Sequence, residues 1–155
     1  LTDGGLWYNS KGEVEKKFDV KDGLGIKMLQ KHGFKIGFIS GGASGATEKR
    51  AEILNIDFCF TEITNKSEAL FKMQKELGLN HYRTLFVGDD LNDIVVKPFV
   101  NLLIAPQNAN NFFKKKADLI LNSKGGNGAV RELSERILTS FKLLDSFDLS
   151  WRDKN

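Results

Sequence analysis

The stretch Leu85 to Asp93, Leu-Phe-Val-Gly-Asp-Asp-Leu-Asn-Asp, constrains the fold more than any other part of the chain. Its apolar start, Leu85 to Val87, suits a buried strand of a parallel sheet. Gly88 ends that run where the backbone can turn without a Cβ in the way. Three carboxylates follow at once: Asp89, Asp90 and Asp93. In open α/β sheets, ligands bind in the crevice beyond the carboxyl ends of the strands. Acidic groups crowded there repel one another unless a cation lies among them. A hard divalent ion with oxygen ligands, such as Mg²⁺, suits the set. The plain alternative is a solvated turn whose aspartates cap the next helix.

The rest of the chain alternates strand and helix patterns. Gly5 to Tyr8 and Glu13 to Asp19 read as a hairpin about the turn Asn9 to Gly12, projecting from the body and packed through Trp7 and Phe18. Local packing is the simplest role for Trp7 and Tyr8. A helix is predicted over Lys21 to His32, closed by Gly33. Strand Lys35 to Ser40 is followed by a helix from Ser44 to Leu54, with Ala46, Arg50 and Ile53 at helical spacing. Then come strand Asp57 to Thr61, helix Ser67 to Leu77, the Leu85 strand and a short helix Asp93 to Phe99 broken near Pro98. Strand Leu102 to Ala105, helix Asn110 to Lys116 and strand Asp118 to Leu121 lead to a flexible glycine-rich loop, Lys124 to Gly128. A final amphipathic helix spans Ala129 to Leu144 (Val130, Leu133, Ile137, Phe141, Leu144). This alternation predicts one α/β domain over residues 1–144, a doubly wound parallel sheet with right-handed crossovers, and a polar tail over 145–155.

Composition excludes several roles. With 155 residues, 41% of them hydrophobic, the chain can bury a core. Its net charge of +3, from 23 basic and 20 acidic residues, is too small to indicate nucleic acid. No apolar run approaches a membrane span. The single Cys59 has no intramolecular partner and lies between Phe58 and Phe60. It reads as a small core residue in a reducing compartment, and the cytoplasm is expected.

Two further strand ends carry groups suited to a phosphate. Ser40 precedes Gly41-Gly42, and its hydroxyl with nearby backbone N–H groups could hold phosphoryl oxygens; a simple helix-capping role is equally open. Lys66 opens a helix, where a cation meets the positive end of the dipole. By itself it reads as an ordinary exposed lysine. Taken together, the carboxylates, the hydroxyl and the lysine suit metal-assisted phosphoryl transfer.

The order and spacing of Ser40, Lys66 and Gly-Asp-Asp-Leu-Asn-Asp (88 to 93) resemble the second, third and fourth motifs of the haloacid dehalogenase superfamily of phosphatases. Leu-Thr-Asp-Gly-Gly (1 to 5), Phe-Asp-Val-Lys-Asp-Gly-Leu-Gly-Ile (18 to 26), Glu-Lys-Arg-Ala (48 to 51) and Gly-Gly-Asn-Gly-Ala-Val-Arg-Glu (125 to 132) resemble its small cap-less subgroup. That subgroup acts on 3-deoxy-D-manno-octulosonate 8-phosphate and on nonulosonate 9-phosphates, in lipopolysaccharide and sialic acid-like sugar biosynthesis. The resemblance implies Mg²⁺-dependent hydrolysis through an aspartyl-phosphate, in a Rossmann-like fold without a large cap. It implies Asp89 as a direct metal ligand, with Asp90 and Asp93 supporting from behind. Ser40 and Lys66 would hold the phosphoryl group. Asp19, Val20, Lys21, Asp22, Gly23, Lys27, Arg50 and Asn92 would contact substrate. The hairpin would support a homotetramer, and Gly125 to Gly128 would close a neighbouring subunit's site.

Three departures qualify the resemblance. The family's first motif, Asp-x-Asp-Gly-Val, with the nucleophile and the general acid/base, would sit just before Leu1. Its absence predicts a chain continuing an upstream segment, whose fragment 1–155 lacks a central strand and is inactive. The alternative is a degenerate, non-catalytic assembly domain, of the kind associated with CMP-sugar synthetases for acylneuraminate or octulosonate. Gly42 stands where octulosonate phosphatases usually carry Arg and nonulosonate phosphatases Glu. Asp19 stands where Asn is common. Both changes bear on which sugar phosphate is used.

Overall fold

The computed structural model describes residues 1–42 and 45–144. Ser44 and the tail 145–155, for which the sequence predicts a helix start and a polar extension, lie outside the described residues. Strands β1 (Trp7–Tyr8) and β2 (Val14–Glu15) form an antiparallel hairpin. The rest alternates: α1 (Val20–Lys31), β3 (Gly37–Ile39), α2 (Gly45–Leu54), β4 (Phe58–Phe60), α3 (Lys66–Glu76), β5 (Leu85–Val87), a 3-10 helix Leu91–Phe99, β6 (Leu102–Ala105), α4 (Asn111–Lys116), β7 (Leu119–Ile120) and α5 (Ala129–Ser140). The pairings among the remaining strands are parallel. β3 pairs with β4, and β6 lies between β5 and β7.

Apolar side chains cover both faces, as a doubly wound sheet requires. One face buries Leu70, Val96, Leu103 and Phe113 under α3, the 3-10 helix and α4. The other packs Met28, Leu29 and Leu138 between α1 and α5, and Ile104, Leu121 and Leu133 beside them. Helices α1 and α5 approach closely because Gly25 has no side chain. A Cβ there would lie 2.8 Å from Ser134 Oγ and 3.0 Å from Arg131 Cα. Across this contact, Asp22 Oδ1 accepts the Arg131 N–H at 3.0 Å, which supplies the side-chain cap that Gly128, at the start of α5, cannot.

The parallel sheet is interrupted. The β3–β4 pair and the β5–β6–β7 trio do not hydrogen-bond to each other. Between them runs a cavity of about 290 Å³, walled by Ile36 and Phe38 on the β3 side and Leu85 to Val87 on the β5 side, with Ile26 and Leu133 beneath. Apolar side chains make up most of its lining, with Asp19, Asp22 and Arg50 also bordering it.

Several expectations are corrected. Trp7 and Tyr8 are 67% and 65% exposed, so the hairpin does not pack through Trp7. The buried residues of α2 are Thr47, Ala51 and Leu54, and Ile53 is exposed. The chain after Leu54 turns through Asn55 at positive φ. α5 ends at Ser140, leaving Phe141 exposed and edge-on to Phe34. The loop Lys124 to Gly128 is closely packed rather than loose. Gly125 and Gly126 are buried against residues 1–3, and a Cβ on Gly125 would lie 2.6 Å from the Thr2 carbonyl oxygen.

Candidate active site

The carboxyl end of β5 is built around Asp93, which reaches back over the strand end. Gly88 makes room, since a Cβ there would sit 2.6 Å from Asp93 Cβ. Asp93 Oδ2 accepts the Asp89 N–H at 2.9 Å and, at a longer 3.4 Å, the Asp90 N–H. Asp93 Oδ1 accepts from Lys66 Nζ at 2.5 Å. Both partners are buried, Asp93 to 3% and Lys66 to 9% exposure. Lys66 is therefore not an ordinary surface lysine. Asn65 caps α3 through Glu68 N–H and turns Lys66 inward, and Asp93 offsets its charge.

The three aspartates of the opening stretch thus divide their work. Asp90 is exposed and caps the 3-10 helix through Leu91 N–H at 2.7 Å, the capping role that was the plain alternative for this stretch. Asp93 is consumed by Lys66 and the loop. Asp89 remains: half-buried, its carboxylate accepts no hydrogen bond among the described residues. Burial first, and then the Asp93 charge, push its carboxyl above the usual carboxylate range; Lys66 acts in the opposite direction. A group so placed favours a cation beside it. Among the described residues no set of three His, Cys, Asp or Glu side chains converges on one point. Asp89 can thus supply one ligand of a metal site, not a whole one.

Ser40 lies at the carboxyl end of β3. Its backbone is tied to β4, with the Ser40 N–H donating to the Phe60 carbonyl at 2.8 Å, and its Oγ accepts the Gly42 N–H at 3.3 Å. Ser40 and Asp89 therefore stand at the strand ends on either side of the interrupted sheet.

The expected substrate contacts are spread more widely. Asp19 caps α1 through Lys21 N–H at 2.6 Å; Val20 and Lys21 are exposed beside it. Arg50 Nη2 donates to the Asp19 carbonyl at 3.1 Å, and its guanidinium lies 5.7 Å from the Phe18 ring centre. Gly23 allows this crossing, because a Cβ there would lie 2.5 Å from Nη2. Asp22, Asp19, Gly23 and Arg50 all line the cavity between β3 and β5. Asp22 is buried, one oxygen capping α5 and the other without a partner among the described residues, so burial raises its pKa against the opposing Arg131 N–H. Asn92 is exposed beside the Asp89 loop. Lys27 is elsewhere: its Nζ donates to the Leu54 carbonyl at 2.7 Å, at the far end of α2 from Ser40.

Two residues that the motifs do not single out enter this edge. Lys16 Nζ donates to Thr47 Oγ1 at 2.9 Å, close to Gly42. The period-two pattern carries the signal, since Lys16 shares a strand face with Val14 and Phe18.

A family model for haloacid dehalogenase-like hydrolases matches residues 13–95. The chain belongs to this family. The 3-deoxy-D-manno-octulosonate 8-phosphate phosphatase KdsC of Haemophilus influenzae is 35% identical over 148 residues, covering 96% of this chain and 82% of that protein. Among solved structures, the Moraxella catarrhalis 3-deoxy-D-manno-octulosonate 8-phosphate phosphatase, in complex with magnesium ion, phosphate ion and KDO, superposes with a TM-score of 0.90 at 35% identity, over 95% of this chain and 84% of that one. The cobalt-bound Haemophilus influenzae phosphatase gives 0.91 at 34% identity, over 97% and 88%. The haloacid dehalogenase-like architecture, without a large cap, is thus shared along nearly the whole chain.

Proposed function

We propose that this hydrolase is a Mg²⁺-dependent phosphatase of 3-deoxy-D-manno-octulosonate 8-phosphate, in a cytoplasmic pathway of sugar-acid synthesis. The observation that carries the reading is the joint position of Ser40, Lys66 and Asp89 at the carboxyl edge of a sheet shared with a relative solved with magnesium, phosphate and the sugar acid. A hard-oxygen ligand such as Asp89, half-buried and free of hydrogen-bond partners among the described residues, fits Mg²⁺, which commonly takes one or two carboxylates and keeps several waters. When bound there, the ion neutralises phosphoryl oxygens and polarises phosphorus.

The chain's own residues do the rest. Lys66, held by Asp93, and the Ser40 hydroxyl orient the phosphoryl group. Asp90 and Asp93 hold the loop that presents Asp89. Asp19 to Gly23, Arg50 and Asn92 face the sugar, and Lys27 is assigned to the same substrate by its place in the family motif. The nucleophilic aspartate and the general acid/base two residues on come from a strand that fills the cavity between β3 and β5, in register beside Ser40 and Asp89. Strand edges open on both sides and the apolar lining support that placement. The exposed Leu6, Trp7 and Tyr8 support assembly of four copies through the hairpin, with residues 125–128 closing a neighbour's site.

The test is phosphate release by the full-length gene product from octulosonate and nonulosonate phosphates, with and without Mg²⁺. Release from the octulosonate ester that chelation abolishes is expected. No release from any of them overturns the proposal.

A further inference from the structure

We infer that Lys16 binds the carboxylate of the sugar acid and so sets substrate specificity, an inference that rests on the proposed phosphatase reading. Lys16 follows β2 and is half-buried, between the exposed Glu15 and Lys17. Its Nζ donates to Thr47 Oγ1 at 2.9 Å, and Thr47 is buried in the first turn of α2. The ammonium lies near Gly42 and the end of β3. A Cβ on Gly42 would sit 3.7 Å from Lys16 Nζ and 3.8 Å from Ser40 Oγ. Lys16 and the Ser40 hydroxyl therefore both lie beside Gly42, at the carboxyl end of β3.

The charge of Lys16 is unmatched. An ammonium has three donors and no acceptor. Among the described residues Nζ hydrogen-bonds only to the neutral Thr47 hydroxyl, and no carboxylate pairs with it. Lys66 is paired with Asp93, while Arg50 and the more distant Lys27 are held by the neutral carbonyls of Asp19 and Leu54. A partly desolvated cation without a counter-charge favours an anionic oxygen arriving from solvent. The substrate has two anionic groups. Ser40 and Lys66 meet the phosphoryl group, so the carboxylate requires a cation of its own. Lys16, close to Ser40 on the hairpin side, meets that need.

Two ligands that each carry one of the anionic groups separate the possibilities: the free sugar acid and inorganic phosphate. Their binding to the full-length protein is measured by calorimetry, which needs no turnover. Lys16→Met should weaken the sugar acid at least about tenfold, the loss expected for one charge-assisted hydrogen bond, and leave phosphate within about twofold. Lys16→Arg should keep sugar-acid binding within about threefold, since it preserves the charge. Unchanged melting of both variants checks the fold. In turnover, Lys16→Met should raise KM for the acidic substrate and leave p-nitrophenyl phosphate unaffected. Equal weakening of both ligands would make Lys16 a phosphoryl ligand and overturn the inference, as would no change in either. Wild-type protein that binds the sugar acid through Lys16 yet releases no phosphate would sink the phosphatase reading alone.

Discussion

Replacing Asp93 by Asn isolates the interaction that holds the edge of the site together. Asp93 and Lys66 are almost fully buried and meet at 2.5 Å. Asparagine keeps the shape and removes the charge, so the Lys66 ammonium is left in the interior with no counter-charge. Breaking a buried pair by removing one partner costs about 3–5 kcal/mol. The same change puts an amide group where two loop N–H groups now meet a carboxylate. Domains have net stabilities of about 5–15 kcal/mol, so the loss is a large share. With a urea slope of about 2 kcal/mol per molar, the midpoint of the full-length protein should fall by roughly 1.5–2.5 M. The double variant Lys66→Met/Asp93→Asn carries no stranded charge and should recover at least about 1.5 kcal/mol relative to the sum of the single changes. A midpoint shift under about 0.5 M for Asp93→Asn, which at this slope is about 1 kcal/mol, would refute the reasoning. Strict additivity in the double variant would do the same.

Gly25→Ala should overpack the α1–α5 contact and cost about 1–3 kcal/mol, read as a lower melting temperature; an unchanged melt would mean that the helices separate freely. Asp118 has its pKa lowered by Lys97 and by the Leu103 N–H, so it stabilises the fold above the unfolded carboxylate value near about 4 and loses that contribution as pH falls through its lower folded value. Asp118→Asn should therefore flatten the stability–pH curve below about pH 4, in urea titrations at stepped pH. Trp7→Glu should reduce the assembly state of the full-length protein by light scattering without altering its circular dichroism; a persistent tetramer would exclude the exposed hairpin as the contact. Asp89→Asn should abolish Mg²⁺-dependent phosphate release and leave the urea midpoint nearly unchanged, because its carboxylate supports no hydrogen bond among the described residues.

Local chemistry made the elements legible. Leu85–Val87 and Leu102–Ala105 are strands with the predicted limits, because uninterrupted apolar runs bounded by Gly, Pro or polar residues suit buried parallel strands. Gly33 and Gly78 end α1 and α3 at positive φ, where glycine carries no steric penalty. The order Ser40, Lys66, Asp89 along strand ends was also legible, since strand–helix alternation fixes which ends face one edge. Side-chain facing was less so. Thr47, Ala51 and Leu54 are the buried residues of α2, which helical spacing alone did not single out.

The sequence by itself therefore determined a parallel α/β domain, the edge that carries the chemistry and the residue types available there. Only the tertiary structure decided what each residue does with its charge. Asp89, Asp90 and Asp93 are equivalent as letters. They separate because Asp93 meets Lys66 from 27 residues away, Asp90 meets its own helix, and Asp89 meets neither. Asp22 meets a helix 109 residues distant, and Lys16 comes near Gly42 and meets Thr47 only once hairpin and helix have packed. Burial and long-range partners set the free energy of a charge, and neither is a property of the neighbouring letters.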